Sequence, residues 1–256
     1  MFANERQQHI AEKIRQNGAV TVSQLMETFG VSIETIRRDL LTMERQGVLS
    51  RVHGGAVAKS DMKPFLSLTE RNKAYEPQKR QLAIAAMDYI REGDIIALDS
   101  GSTAIIFAEI LRERFSRLTV ITHSLDVFHL LCNYKEIQVI LCGGYYLRNE
   151  NSFYGTLTLD TLSKLHAQKA FIFPSAISLE HGIADFEKDL FPIQRQLIAC
   201  ADSIFVLADS SKFEKKALLK VDDMRCEYHY ITDGDLLDEL QQLYINNGRQ
   251  ITVACQ

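Results

Sequence analysis

The sequence predicts a two-part α/β chain: a small N-terminal module of three helices and a ribbon, then a larger, mostly parallel α/β domain. Three observations carry this expectation. The 256 residues, 46% apolar and 24% charged, suit one small and one medium-sized domain and leave enough apolar material for a sizeable core. Helical periodicity dominates residues 1–57, which close on a short alternating ribbon. From residue 76 onward the pattern becomes short β-rich runs separated by helical stretches, the signature of a parallel sheet covered on both faces.

In the first part, "NERQQHIAEKIRQNG" sets Ile10 and Ile14 at helical spacing, with Asn4 and Gln7 placed like a capping box and Gly18 as a stop. "AVTV" reads as a short strand. Ser23 is placed to cap "SQLMETFG", whose Leu25, Met26 and Phe29 form an apolar face, and Gly30 permits the left-handed turn that ends it. Ser32 caps a third helix running to Gln46, which Gly47 stops, and "VLSRVHGGAV" alternates as a small hairpin. Residues 58–75 lack clear periodicity, contain Pro64 and read as a partly helical linker. Residues 76–256 form the second domain. Strands are expected at 94–99, 118–122, 137–142, 169–173, 203–209, 228–232 and 250–254, and helices at 76–91, 103–115, 124–133, 157–166, 188–201 and 235–246.

Bulk properties narrow the function. No apolar run approaches the roughly 20 residues that span a bilayer, and the N-terminus lacks an apolar signal core, so a cytoplasmic protein without a membrane partner is expected. The cysteines, Cys132, Cys142, Cys200, Cys226 and Cys255, are odd in number and form no C-x-x-C pair; reduced thiols and no metal site are expected. Net charge is −4; residues 1–57 hold seven Lys+Arg against six Asp+Glu, a net of +1, and the rest 22 against 27, a net of −5. A case for nucleic acid therefore rests on where the cations sit.

On the third helix, Ile36, Leu40 and Met43 share one narrow face, with Ile33 at its edge. Glu34, Arg38, Thr42 and Arg45 lie opposite, with Thr35 and Arg37 on the flanks. Two short helices, a tight turn and a helix with a polar N-terminal half make helix-turn-helix geometry, whose second helix fits a major groove. Arg38 then faces a guanine edge, Thr35 a base edge or thymine methyl, and Arg37 a phosphate, while Ser32 and nearby amides hold another phosphate. The ribbon is a wing presenting Arg51 and His53, with Gly54 and Gly55 letting the backbone approach the sugar-phosphate rail. The candidate DNA contacts are Ser32, Glu34, Thr35, Arg37, Arg38, Arg51, His53 and Gly54. A blander reading stands beside this one: Glu34 and Arg38, four apart, can pair with each other on a solvated face, and winged helices also bind proteins.

In the larger part, "IIALDSGSTAIIFAEIL" ends a strand at Asp99 and starts a helix through a glycine and two hydroxyls. Gly101, Ser102 and Thr103 would form an anion cradle at the helix start, where ligands of open α/β sheets sit. Other strand ends add Thr122, His123 and Ser124; Gly143, Gly144 and Arg148; and Asp209, Ser210, Ser211 and Lys212. Hydroxyls and Asp99 suit sugar OH groups, and Arg148 or Lys212 suits a phosphate. The alternatives are a plain helix cap, solvated cations and a packed histidine.

"VSIETIRRDLLTMERQGVLSRVHGGAV" resembles the signature of the DeoR-type transcriptional regulators, matching at Ser32, Thr35, Arg37, Arg38, Asp39, Gly47, Arg51, His53, Gly54 and Gly55. The family's effector domain is matched at Asp99, Gly101, Ser102, Thr103, Thr122, Ser124, Gly143, Gly144, Arg148, Ser211 and Lys212. The resemblance implies a winged helix-turn-helix on double-stranded operator DNA and an effector domain similar to ribose-5-phosphate isomerase. It further implies a phosphorylated sugar or polyol as effector and no cofactor. It also implies a homodimer or homotetramer that represses a carbohydrate operon. Two departures mark this chain: His123 stands where asparagine is usual, and "FPSAISLEHGIADFEKDLFPIQRQ" puts Leu190 and Pro192 where an acidic residue is usual, with Glu187 and Asp189 just upstream. The competing expectation is a sugar-phosphate isomerase with a fused regulatory module. It needs a base, and of Asp99, Glu187 and Asp189 none is paired with a His or Lys at a convincing spacing, so no catalytic residue is expected.

Overall fold

The computed structural model describes residues 3–17, 19–45, 48–52, 55–58 and 66–254, which fall into two compact units, 1–64 and 65–256. The first unit runs α1 (Ala3–Asn17), β1 (Ala19–Thr21), α2 (Val22–Phe29), α3 (Ile33–Arg45), β2 (Leu49–Val52) and β3 (Gly55–Ala58). β2 and β3 pair antiparallel, and β1 joins the far side of β3 to complete a three-stranded sheet. Gly55 belongs to this sheet: a Cβ there would lie 2.1 Å from the Val20 carbonyl oxygen. The glycine expected at the DNA backbone is thus required by β1–β3 contact. Ile10, Leu25, Ile36, Leu40, Met43 and Leu49 form the core, as the helical spacing dictates.

Two helix starts differ from expectation. α2 begins two residues early because Thr21, extended at the end of β1, is followed by Gln24; the Thr21 hydroxyl accepts the Gln24 N–H at 3.2 Å and the Gln24 side chain accepts the Thr21 N–H at 3.0 Å. Ser23 therefore lies inside the helix. α1 already includes Asn4, and Gln7 turns to Asp39 instead of capping, its Nε2 donating to Oδ1 at 3.1 Å. Gly30 ends α2 at φ 62°, as predicted. Gly18, Gln46, Gly47, His53 and Gly54 lie outside the described residues.

The second unit begins with α4 (Leu68–Lys73) and α5 (Glu76–Met87). Residues 66–75, expected to be linker, thus belong to this unit. Ser67 and Glu70 form a capping box that starts α4, a signal too local to show as periodicity. There follow β4 (Ile95–Leu98), α6 (Ser102–Arg114), β5 (Leu118–Thr122), α7 (Leu125–Leu131), β6 (Ile137–Leu141), β7 (Tyr145–Leu147), β8 (Ser152–Tyr154) and α8 (Thr156–Ser163). Next come β9 (Ala167–Ile172), β10 (Ala176–Ser178), β11 (Gly182–Asp185), α9 (Phe191–Ala199) and β12 (Ala201–Leu207). The unit closes with β13 (Leu219–Asp222), β14 (His229–Thr232), α10 (Asp238–Asn246) and β15 (Gln250–Val253).

All seven expected strands enter one parallel sheet, ordered β15-β14-β12-β9-β4-β5-β6. The order reverses between β4 and β9, so their carboxyl ends open a crevice at the switch point of a doubly wound sheet. Alternation along β4 sends Ile96 and Leu98 into one core with α5, α6 and α7, and Ala97 into a second with α8, α9 and α10. The β7–β8 hairpin and the antiparallel sheet β10-β11-β13 were not foreseen, since strands of three or four residues are too short for a period to show. None of the described helices is long and apolar enough to cross a membrane.

Candidate DNA-reading surface and effector site

α3 buries Ile36, Leu40 and Met43 and leaves Glu34, Arg37, Arg38 and Arg45 exposed, the division its 100° spacing predicts. Ser32 sets its start: the Ser32 hydroxyl accepts the Thr35 N–H at 3.3 Å and lies 3.1 Å from the Thr35 hydroxyl. No bond among the described residues joins Glu34 to Arg38, and neither arginine carries a salt bridge there. Arg51 on β2 is exposed, and its N–H donates to Glu44 Oε1 at 2.9 Å, which ties the ribbon to α3. Asp39 faces inward: it is 4% exposed and takes Arg6 Nε at 2.6 Å, a buried bridge between α3 and α1 that the sequence reading did not assign. The acid of the "RRD" run thus serves the fold, and its two arginines stay in water.

The second unit gathers its polar side chains at the β4/β9 crevice. Asp99, 1% exposed, leaves β4 there and its N–H donates to the Phe171 carbonyl of β9 at 3.1 Å. Its carboxylate accepts the Ser100 N–H at 2.8 Å, the Phe173 N–H at 3.2 Å and the Gln194 amide at 3.0 Å, and lies 3.3 Å from His123 Nε2. Asp99 therefore organises the crevice. His123 is fully buried, and its Nδ1 lies 3.0 Å from the Phe153 carbonyl oxygen, so its ring is held between that carbonyl and Asp99. Gln194, on the buried face of α9, bridges two carboxylates, with Nε2 3.0 Å from both Asp99 and Asp185. Asp185 also accepts the Ser175 hydroxyl at 2.8 Å and Phe186 N–H at 2.7 Å; burial, and then the Asp99 charge, push its carboxyl above the usual range.

Around this floor the other expected residues divide. Gly101 caps α6 at φ 106°, a backbone only glycine adopts readily, and Ser102 and Thr103 are buried in the first turn. Thr122 and Ser124 are fully buried and hold the β5–α7 turn: the Thr122 hydroxyl accepts Ser124 N–H, and the Ser124 hydroxyl caps α7 at Val127 N–H. Gly144 is required by packing, since a Cβ would lie 2.2 Å from the Thr158 hydroxyl, whereas Gly143 faces open space. Arg148 is exposed on the turn that carries Glu150. Lys212 lies 3.8 Å from Asp209 Oδ2, and the Ser211 hydroxyl also bonds Asp209.

The sequence reading missed four further charged residues here. Arg71 of α4 lies beside the α6 N-terminus, its Nη1 3.6 Å from where a Gly101 Cβ would be, and its Nη2 bonds both oxygens of Glu150 at 2.5 and 2.6 Å. Lys79 of α5 is 3% exposed and donates to the Ala74 carbonyl at 2.6 Å and to the Arg71 carbonyl. Burial, and then the neighbouring Lys212 charge, bring its ammonium down to about 8. Glu150, 3% exposed, is pushed up by burial and by Asp185 and Glu187, with Arg71 opposing. Asp185 is the fourth. One signal was available: Lys79 occupies the apolar face of α5 with Leu82, Ala83 and Ala86, an unusual place for an ammonium.

Residues 6–61 match the DeoR-like helix-turn-helix domain, and residues 75–234 match the DeoR C-terminal sensor domain. The L-fucose operon activator of Haemophilus influenzae is 31% identical, over 93% of this chain and 95% of its own. The lactose phosphotransferase system repressor of Lactococcus lactis is 30% identical, over 84% of this chain and 85% of its own. Among solved structures, ribose 5-phosphate isomerase A from Neisseria gonorrhoeae aligns with 54% of this chain and 53% of its own, at 17% identity and a TM-score of 0.41, too distant to bear on function.

Proposed function

The chain belongs to the DeoR family of transcriptional regulators, and from that premise we propose that it represses a carbohydrate operon and leaves its operator when a phosphorylated sugar or polyol binds the second unit. α3 enters the major groove, with Arg38 on a base edge and Arg37 on a phosphate; both are exposed and carry no competing salt bridge among the described residues. Arg51 and His53 extend the contact from the ribbon. A homodimer or homotetramer doubles these few cations, which offsets the modest charge of the module.

The observation that carries the effector reading is that Arg71, Lys79 and Lys212 lie close enough to act on one another, with Arg71 beside the α6 N-terminus. After burial, the Lys212 charge and then that of Arg71 disfavour the Lys79 ammonium, with Asp209 opposing, and a phosphate dianion is a ligand that would favour all three cations. Arg148 lies farther along the turn that carries Glu150 and serves the rim. Asp185 and the Gln194 amide sit at the floor, where hydroxyl groups of a sugar or polyol are the matching donors. The effector acts by binding one conformation of the regulator more tightly than the other.

A thermal-shift panel of phosphorylated sugars and polyols, followed by a gel-shift titration, tests the reading. Lys212→Ala should keep operator binding and lose the response to the ligand that stabilises the wild-type protein; Arg148→Ala should keep part of it. A Lys212→Ala protein that responds normally would place the phosphate elsewhere.

A further inference from the structure

Glu150 is a buried carboxylate whose facing cation is Arg71, and both of its oxygens share one guanidinium nitrogen. The other charged groups acting on it, Asp185 from β11 and Glu187 from the loop after it, carry the same sign as Glu150. The turn bearing Glu150 is tied on both sides: Asn149 Nδ2 donates to Glu187 at 3.3 Å, and Asn151 Nδ2 donates to Asp126 of α7 at 2.5 Å. Glu150 cannot follow if Arg71 moves. The other end of the same guanidinium, Nη1, lies beside Gly101 at the start of α6.

Resting on the effector reading above, we infer that Glu150 is a built-in competitor for Arg71, and that an anionic effector taking the guanidinium displaces Glu150, which then takes up a proton. A buried carboxylate that loses its cation beside two acids is far more stable neutral than charged. The proton comes from solvent, so binding consumes up to one proton per site and tightens as pH falls. The exchange also reaches the backbone. Arg71 Nε donates to the Leu66 carbonyl at 3.0 Å, so a moved guanidinium pulls on the chain just before α4, whose far end Lys79 anchors through the Arg71 and Ala74 carbonyls. In chain order α4 is the first helix after residues 59–65, which lead from the first unit to the second.

Sulfate tests this, because it is a tetrahedral dianion that does not titrate near neutral pH. Calorimetry of the full chain in two buffers of different ionisation enthalpy, at about pH 6.5, reads proton uptake directly. The wild-type protein should take up protons on binding sulfate. Glu150→Gln should take up none there and bind about tenfold more tightly, since its neutral amide competes less for Arg71. Lys79 gains its proton nearer pH 8, so uptake that survives in Glu150→Gln above about pH 7.5 is its own. Sulfate bound, and weakened by Lys212→Ala, but with equal affinity and proton uptake in wild type and Glu150→Gln, would overturn the exchange and leave the anion site standing. Sulfate not bound at all would overturn both. If Glu150→Gln does not fold, wild-type sulfate affinity that is flat between about pH 7 and 6 overturns the exchange by itself.

Discussion

The two units treat charge in opposite ways. In the first, Arg37 and Arg38 stay in water on the outer face of α3, and the charges that enter the interior, Arg6 and Asp39, do so as a pair 2.6 Å apart. In the second, Asp99, Asp185, Glu150, His123 and Lys79 are all buried and held by backbone or by neighbouring side chains, Arg71 and Gln194 among them. The difference suits the ligands proposed for the two units. A duplex is itself hydrated and highly charged, so solvated cations on a rigid helix meet it with little desolvation and give up counterions in exchange. A small anion with hydroxyl groups is distinguished from its relatives only inside a dry site where donors and acceptors are fixed beforehand.

Breaking the buried pair of the first unit should have the largest effect. Asp39→Ala removes the buried carboxylate that Arg6 and Gln7 share and should cost up to about 3–5 kcal/mol, read as a fall in the melting temperature with operator binding lost in parallel. Asp39→Asn keeps an acceptor and should cost less. If Asp39→Ala melts like the wild type, the pair does not hold α3 in place. Next in size are the exposed arginines. Arg38→Ala should lose about 1–3 kcal/mol on the preferred operator and little on other sequences. Arg37→Ala should weaken all duplexes alike and lower the salt slope by about 1. Identical behaviour of the two variants, measured by binding across a salt series, would rule out the assigned docking. The smallest effect sharpens the other side of the comparison. Because burial and the neighbouring cations lower Lys79 to about 8, its charge is lost as pH rises through that value, whereas in the unfolded chain it persists to about 10.5. Folding therefore gains stability between those two pH values, while affinity for sulfate, which does not titrate in this range, should fall up to about tenfold from pH 7 to 9. Lys79→Arg should flatten that fall.

The same contrast explains what could be read from the chain. The first unit was legible because its determinants lie close together: Ile36, Leu40 and Met43 turn inward, and Arg37 and Arg38 outward, within one helix. Its errors were local, Thr21 in place of Ser23 at the α2 cap and Gly55 serving the sheet. The polar crevice of the second unit was only half legible. Asp99, Gly101 and Lys212 were marked by their strand ends, but Arg71 lay in a stretch without periodicity, and Glu150 and Asp185 sat in strands or turns too short to show a pattern.

By itself the sequence determined the two-unit plan, the seven parallel strands and the exposed polar face of α3, because each follows from spacing along a single stretch of chain. Only the tertiary structure decided that β4 and β9 would be neighbours, that Asp99 would meet polar groups from four separate segments, and that Arg71 would meet Glu150 79 residues away. Charges brought together across such distances set one another's protonation and partners through space. No local pattern encodes that coupling.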